Sequence, residues 1–104
     1  MNATKLDIKP EYLTIIKTIL RQHLPLNAKV SVFGSRVTGK ARKYSDLDLV
    51  INISGENVPV QTLSVLVTEF EESDLPFKVD VVDWNKLSAE FQEIIADEII
   101  ELQF

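Results

Sequence analysis

Two short apolar segments carry acidic residues at alternating positions, and this alternation limits the folds that the chain can adopt. Leu47 to Ile53 reads LDLVINI and Phe77 to Val82 reads FKVDVV, and both segments are rich in β-branched residues. Side chains two residues apart on a strand share a face. The pattern therefore predicts two strands, each with one face in the core and the other face bearing acids.

One more strand and three helical segments are expected. Lys29 to Phe33 alternates and predicts a short strand, whereas the apolar spacing from Pro10 to Pro25 predicts an amphipathic helix. Val60 to Glu72 favours a helix, although its β-branched residues also suit a strand. A final helix is expected from Asn85 onward, although the terminal IIELQF also suits a short extended segment.

These elements predict an α/β (α+β) domain, with a small mixed sheet of three or more strands and helices packed on one face. The length of 104 residues predicts a single domain over residues 1–104. We find no apolar run long enough to span a membrane and no N-terminal signal pattern. A cytoplasmic protein without membrane association is therefore expected.

Composition narrows the function. The chain has 16 acidic and 11 basic residues, a net charge of -5, which argues against direct binding of nucleic acid through a basic face. It has no cysteine and a single histidine, so thiolate sites and histidine clusters are excluded. A bound metal ion would have to use oxygen ligands.

The segment from Gly34 to Ala41, GSRVTGKA, is one residue short of the P-loop pattern G-x-x-x-x-G-K-[ST]. Ala41 stands where that loop needs a hydroxyl for magnesium. Only the four residues RKYS separate Ala41 from Asp46 at the start of the acidic strand, which is too short for the crossover helix between parallel strands. The P-loop interpretation is therefore rejected.

The acids themselves predict a cation site. Asp46 and Asp48 share a strand face, and Asp80 occupies the equivalent face of the third strand. Carboxylates so close together would raise one another's pKa, and a hard divalent cation would relieve that conflict. In the strand alternation Asp83 falls on the same face as the apolar residues Val79 and Val81, and we interpret it as a turn or helix-capping residue.

A phosphate site is expected beside the acids. Two magnesium ions held by carboxylates can clamp the oxygens of a phosphoryl or nucleotidyl transfer. Gly34 would let the backbone approach a phosphate, and Ser35 could donate hydrogen bonds to it. Basic residues of the same loop could contact the rest of a triphosphate: Arg36, Lys40, Arg42 and Lys43.

The segment GSRVTGKARKYSDLDLVI, followed later by VDVVDW, resembles the signature of the DNA polymerase beta-like nucleotidyltransferase superfamily, and in particular its minimal nucleotidyltransferases. The resemblance implies the nucleotidyltransferase fold. It implies that Gly34 and Ser35 bind the nucleotide phosphates, that Asp46 and Asp48 hold both metal ions, and that Asp80 completes the site and helps to activate the attacking hydroxyl.

The resemblance also implies a reaction and a partner. The reaction would be Mg²⁺-dependent transfer of AMP from ATP. Many family members of this size act as antitoxins, so the acceptor would be a hydroxyl, on a tyrosine, of a cognate HEPN ribonuclease toxin in a hetero-oligomer. Two alternatives remain open: a non-catalytic antitoxin that acts by binding alone, and transfer to a small molecule such as an aminoglycoside, which usually needs a further domain or a dimer.

Overall fold

The structure is a computed structural model that describes residues 6–104. It contains four α-helices, four β-strands and one short 3-10 helix. In chain order these are α1 (Pro10–His23), β1 (Ala28–Phe33), α2 (Ser35–Thr38), β2 (Leu47–Ile53), α3 (Val60–Glu71), β3 (Val79–Asp83), the 3-10 helix (Trp84–Lys86), α4 (Ala89–Ala96) and β4 (Ile100–Leu102).

The strands form one mixed sheet in the order β3-β2-β1-β4. β1 is antiparallel to both β2 and β4, while β2 and β3 are parallel. The antiparallel pairing of β1 with β2 agrees with the rejection of the P-loop, which joins a strand to the crossover helix of a parallel βαβ unit. Register pairs Phe33 with Asp48 and Asp48 with Asp80, so the two acids are neighbours across the strands.

One face of the sheet forms the core. Alternate strand residues, among them Val30, Val32, Leu47, Leu49 and Ile51, are completely buried there. α1 and α3 contribute fully buried leucine and isoleucine side chains to the same cluster. Full burial of such a side chain stabilises a fold by about 1.5 to 3 kcal/mol, so this layer fixes the sheet that presents the acids.

The opposite face of the sheet bears Asp48 and Asp80 and is partly covered. Phe33 alternates with the buried Val32 and therefore lies on this face. Its ring makes an edge-to-face contact with Phe91 of α4, with ring centroids 6.1 Å apart. Helices α1 and α3 thus agree with the predicted packing on one face, while α4 contacts the acidic side of the sheet.

The strand alternation and the first and third helices are confirmed within one or two residues. The final helix is confirmed as α4, and of the two expectations for the terminal IIELQF the extended one is correct. Ile100 and Leu102 form β4 by pairing with Val32 and Val30 of β1. The predicted start of β3 was wrong: the strand begins at Val79, not at Phe77, because the backbone bends at residues 76–77 and pairing with β2 starts at Val79. The Phe77 ring packs edge-on against Tyr12, with ring centroids 5.8 Å apart.

The loop after β1 was predicted without a helix, but the structure has the four-residue α2 there. No helix within residues 6–104 combines the length and the apolar character needed to cross a bilayer.

Candidate active site

Gly34 brings the loop after β1 against an acid of β2. Its backbone has a φ of +84°, a conformation that L side chains rarely adopt. A Cβ atom at this position would overlap the Oδ2 atom of Asp48 and would lie 3.3 Å from its Cγ atom. Glycine is therefore required here both for the turn and for the space that the carboxylate occupies.

Asp48 lies among like charges. Burial raises the pKa of the Asp48 carboxyl above its ordinary value of 3.8, and the neighbouring charges of Asp80 and Asp46 raise this pKa further. None of the side-chain hydrogen bonds within residues 6–104 involves Asp48. The predicted shared patch of Asp46, Asp48 and Asp80 thus has an electrostatic cost in the absence of a cation.

The three acids share a patch but do not converge tightly. Across residues 6–104, no three carboxylate or imidazole side chains come close enough together to hold a metal ion as they stand. Asp80 instead places its Oδ1 atom 3.4 Å from Nζ of Lys78. Asp48, Asp80 and Lys78 line a cleft of about 550 Å³, together with Glu71 of α3.

Ser35 is the first residue of α2 and directly follows Gly34. The backbone oxygen of Gly34 accepts hydrogen bonds from the amides of Val37 and Thr38, so the turn into α2 is closed by the helix itself. Ser35 is thereby held beside Gly34, at the end of β1 that pairs with Asp48.

Arg36 lies in a different environment from the one that the sequence predicted. Its side chain was expected to contact nucleotide phosphates, but the residue is only 5% exposed. The guanidinium donates hydrogen bonds to the backbone oxygens of Asp7, Lys43 and Ser45. Since these carbonyl groups occupy its donors, the structure argues against direct phosphate contact by Arg36.

The other basic residues of the loop are exposed. Lys43 places Nζ 5.3 Å from the centroid of the Tyr44 ring and lines a second cleft of about 490 Å³, together with Arg42 and Lys9. This cleft differs from the one lined by Asp48 and Asp80. A phosphate contact by Lys43 therefore stays a prediction.

Asp83 has the capping role that its place in the strand alternation predicted. It is 3% exposed, and its Oδ1 atom accepts a hydrogen bond from the amide of Asn85, at 3.1 Å, at the start of the 3-10 helix. Its Oδ2 atom accepts another from the amide of Val58, at 2.8 Å. Asp83 thus joins the end of β3 to the segment before α3.

Lys78 is the site residue that the sequence reasoning missed. It precedes Asp80 by two residues, so strand periodicity already placed the two side chains on one face. The ammonium group at this position partly balances the charge of the acidic patch. Glu71 carried no such signal, because only the packing of α3 beside β3 brings it to the cleft.

Comparisons with known proteins agree with this geometry. The family profile of the nucleotidyltransferase domain matches residues 13–104. A Haemophilus influenzae protein named probable protein adenylyltransferase MntA is 50% identical over 99 residues, which are 95% of this chain and 85% of that protein. The protein adenylyltransferase MntA of Thermococcus cleftensis is 28% identical over 88 residues, 85% of this chain and 86% of that one.

The fold is also found among solved structures. A crystal structure of a toxin-antitoxin with AMP-PNP superposes with a TM-score of 0.72 at 22% identity, covering 88% of this chain and 72% of that chain. At this identity the likeness concerns the fold, and it matches the mixed sheet with its helices. With the profile match over most of its length and a half-identical relative, this chain belongs to the nucleotidyltransferase domain family and is a nucleotidyltransferase.

Proposed function

We propose that this chain transfers AMP from ATP to a hydroxyl group of a partner protein. The observation that carries the proposal is the position of the Asp48 carboxylate, which lies directly over Gly34 and beside the charges of Asp46 and Asp80. In this proposal the loop of Gly34, which would approach the phosphates, lies next to the acidic patch, which would bind the cation. The half-identical relative named a protein adenylyltransferase supports both ATP as the donor and a protein as the acceptor.

The acids would hold Mg²⁺, two ions in our proposal. Asp46, Asp48 and Asp80 offer only oxygen ligands, which is the donor set that magnesium prefers. The repulsion at Asp48 favours a cation at this place, and small side-chain rotations would release Asp80 from Lys78. When bound, magnesium would stabilise the charge on the phosphate oxygens and make the attacking hydroxyl more acidic.

The remaining residues would position the nucleotide. Gly34 leaves room for a phosphate next to the backbone, and Ser35 would donate hydrogen bonds to it through its hydroxyl and amide. Lys43, exposed and on a long side chain, would approach the outer phosphates. Asp80 would accept the proton of the acceptor hydroxyl while the oxygen of that hydroxyl forms a bond to the α-phosphorus of ATP. The bond from that phosphorus to the bridging oxygen breaks, and pyrophosphate leaves.

The proposed acceptor is a tyrosine of a cognate HEPN ribonuclease toxin, so that the chain acts as an antitoxin in a cytoplasmic hetero-oligomer. The relatives named protein adenylyltransferase MntA and the fold shared with a toxin-antitoxin assembly support a toxin as the partner. The acidic net charge of -5 supports a chain that does not itself bind nucleic acid.

A binding role without catalysis is the second candidate. Ile94 is 66% exposed and Phe91, on the same helix, is 38% exposed. The two side chains are three residues apart and so share one face of α4, and an exposed apolar patch on a helix can mark a protein contact site. An antitoxin could use them to hold its partner without modifying it, and the experiment below separates the two functions.

The test combines the chain with ATP, Mg²⁺ and the product of the neighbouring gene, and weighs that product by intact mass spectrometry. The proposal expects a mass increase by whole AMP units, absent with the Asp46→Asn/Asp48→Asn double variant. An unmodified partner that forms a tight complex with both proteins would support the binding role instead.

A further inference from the structure

Arg36 has a buried guanidinium whose acceptors are all backbone oxygens. Its Nη1 atom donates to Asp7 at 3.0 Å, and its Nη2 atom donates to Ser45 at 2.7 Å and more weakly to Lys43 at 3.4 Å. The Nε atom donates to the same Ser45 oxygen at 3.1 Å. Arginine suits this role because its planar fork carries five donors in a fixed geometry.

Two further contacts hold Arg36 in place, one through its side chain and one through its backbone. The guanidinium carbon lies 4.1 Å from the centroid of the buried Phe77 ring, a cation–π arrangement. The backbone oxygen of Arg36 accepts a hydrogen bond from the amide of Asp7 at 2.8 Å. Within residues 6–104, neither of the ion pairs involves Arg36, so carbonyl dipoles and an aromatic face stabilise its charge.

The sequence positions of these partners matter for the site. Arg36 comes directly after Gly34 and Ser35, and the Ser45 carbonyl belongs to the peptide that leads into Asp46. The Ser45 Oγ atom in turn accepts a hydrogen bond from the amide of Arg42 at 2.7 Å, which closes the loop. One side chain therefore links the loop that bears Gly34 and Ser35 to Asp46, which stands directly before β2, and through it to Asp48 on that strand.

We infer that Arg36 is a positioning residue, which holds Asp46 and Asp48 at a fixed distance from Gly34 and Ser35 without touching the nucleotide. The inference rests on the proposed function, since it assumes that these acids bind the cation of an AMP transfer. A misplacement of a reacting group by about 1 Å can reduce a rate about 100-fold, so an internal brace of this kind has a direct effect on catalysis.

The test replaces Arg36 by lysine, which keeps the charge but has a single nitrogen that cannot reach all three carbonyl oxygens. Asp83→Asn is the matched control, because Asp83 is also buried and also ties two segments through backbone hydrogen bonds, but at the other end of β3. Thermal unfolding is followed while Mg²⁺ or Mn²⁺ is titrated without nucleotide, and AMP transfer is measured in parallel.

For wild type, we expect the unfolding temperature to rise with the cation. In Arg36→Lys, we expect the half-saturating cation concentration to increase at least about tenfold and kcat to fall about 10- to 100-fold. Asp83→Asn should unfold at a lower temperature than wild type, but its half-saturating cation concentration should equal that of wild type. If Arg36→Lys is too unstable, Phe77→Leu removes the ring under the guanidinium together with its contact to Tyr12, and it should give a smaller change in the cation response in the same direction.

The inference would be overturned by an Arg36→Lys variant that keeps both the half-saturating cation concentration and the kcat of wild type. It would also be overturned by a variant whose sole change is a higher KM for ATP, because that result would indicate direct phosphate contact. A wild-type chain without any cation response would overturn it as well. Failure of the proposed function has a different result, since wild type would then leave its partner unmodified while the difference in cation response remained.

Discussion

Asp48 and Asp83 lie on adjacent strands of one sheet, yet their surroundings are opposite. Asp83 is enclosed and accepts hydrogen bonds from two backbone amides. Asp48 is half-buried beside two further acids, and its pKa is raised. The comparison shows that one residue type has two different energetic roles: a carboxylate satisfied by hydrogen bonds stabilises the fold, whereas one left among like charges destabilises it, and we propose that the latter serves to bind a cation.

The largest expected effect tests the acidic side of this comparison. The Asp46→Asn/Asp48→Asn variant should lose AMP transfer by about 1,000-fold or more, about 4 kcal/mol in activation free energy, because the cation loses its ligands. Pyrophosphate release with saturating Mg²⁺ measures the loss. Retention of more than a tenth of the wild-type rate would show that these acids do not hold the cation.

Gly34→Ala should have the next largest effect. The added Cβ atom would displace the Asp48 carboxylate, so we expect transfer to fall about 100-fold. Gly55→Ala is the matched control, since Gly55 also has a positive φ, +76°, but has nothing within 4 Å of the added atom. Both variants should lose about 1 kcal/mol or more in unfolding free energy. Equal activities of the two variants would contradict the prediction.

Asp83→Asn tests the structural side. Replacing an acceptor oxygen by an amide removes a buried hydrogen bond, so the free energy of unfolding should fall by about 1 to 3 kcal/mol. Urea unfolding measures this value. AMP transfer per folded molecule should stay within about twofold of wild type below the unfolding temperature, and a larger loss would place Asp83 in the catalytic machinery.

The smallest effect concerns Asp48→Asn without metal ions. The pKa of Asp48 is raised by folding above 3.8, so the folded state binds its proton more tightly than the unfolded state. Stability from this group is therefore present below pH 3.8 and is lost as pH rises through the raised pKa. At neutral pH Asp48→Asn should be more stable than wild type, opposite in sign to Asp83→Asn.

Urea unfolding in a chelator at several pH values measures this difference. The difference in free energy of unfolding between variant and wild type should shrink as the pH falls towards 3.8. At neutral pH it should also shrink when Mg²⁺ is added, because the cation stabilises wild type alone. A variant less stable than wild type at neutral pH without metal ions would show that the repulsion at Asp48 is compensated elsewhere.

Several site features could be predicted from local sequence. Strand periodicity placed Asp48 and Asp80 on one face and assigned Asp83 to the other, and the structure pairs Asp48 with Asp80 in register. The same periodicity would have found Lys78. These predictions succeed because alternation along a strand is a local property of the backbone.

Arg36 could not be predicted in this way. Its loop is rich in basic residues, which favoured exposed phosphate contacts, but its guanidinium is buried against Asp7, 29 residues earlier in the chain, and against Phe77. The C-terminal strand is a similar case, because the apolar pattern of residues 99–102 suits a helix or a strand until β1 offers an open edge.

Local sequence was enough to predict the amphipathic first helix, the alternation of the strands, and the Gly-Ser and Asp-x-Asp motifs that indicate a nucleotidyltransferase. Three features emerge from long-range packing alone: the Asp48 carboxylate lies over Gly34, Arg36 is internal, and the last residues complete the sheet. Periodicity is set by each residue's own backbone, whereas contacts between distant segments depend on how the whole chain packs.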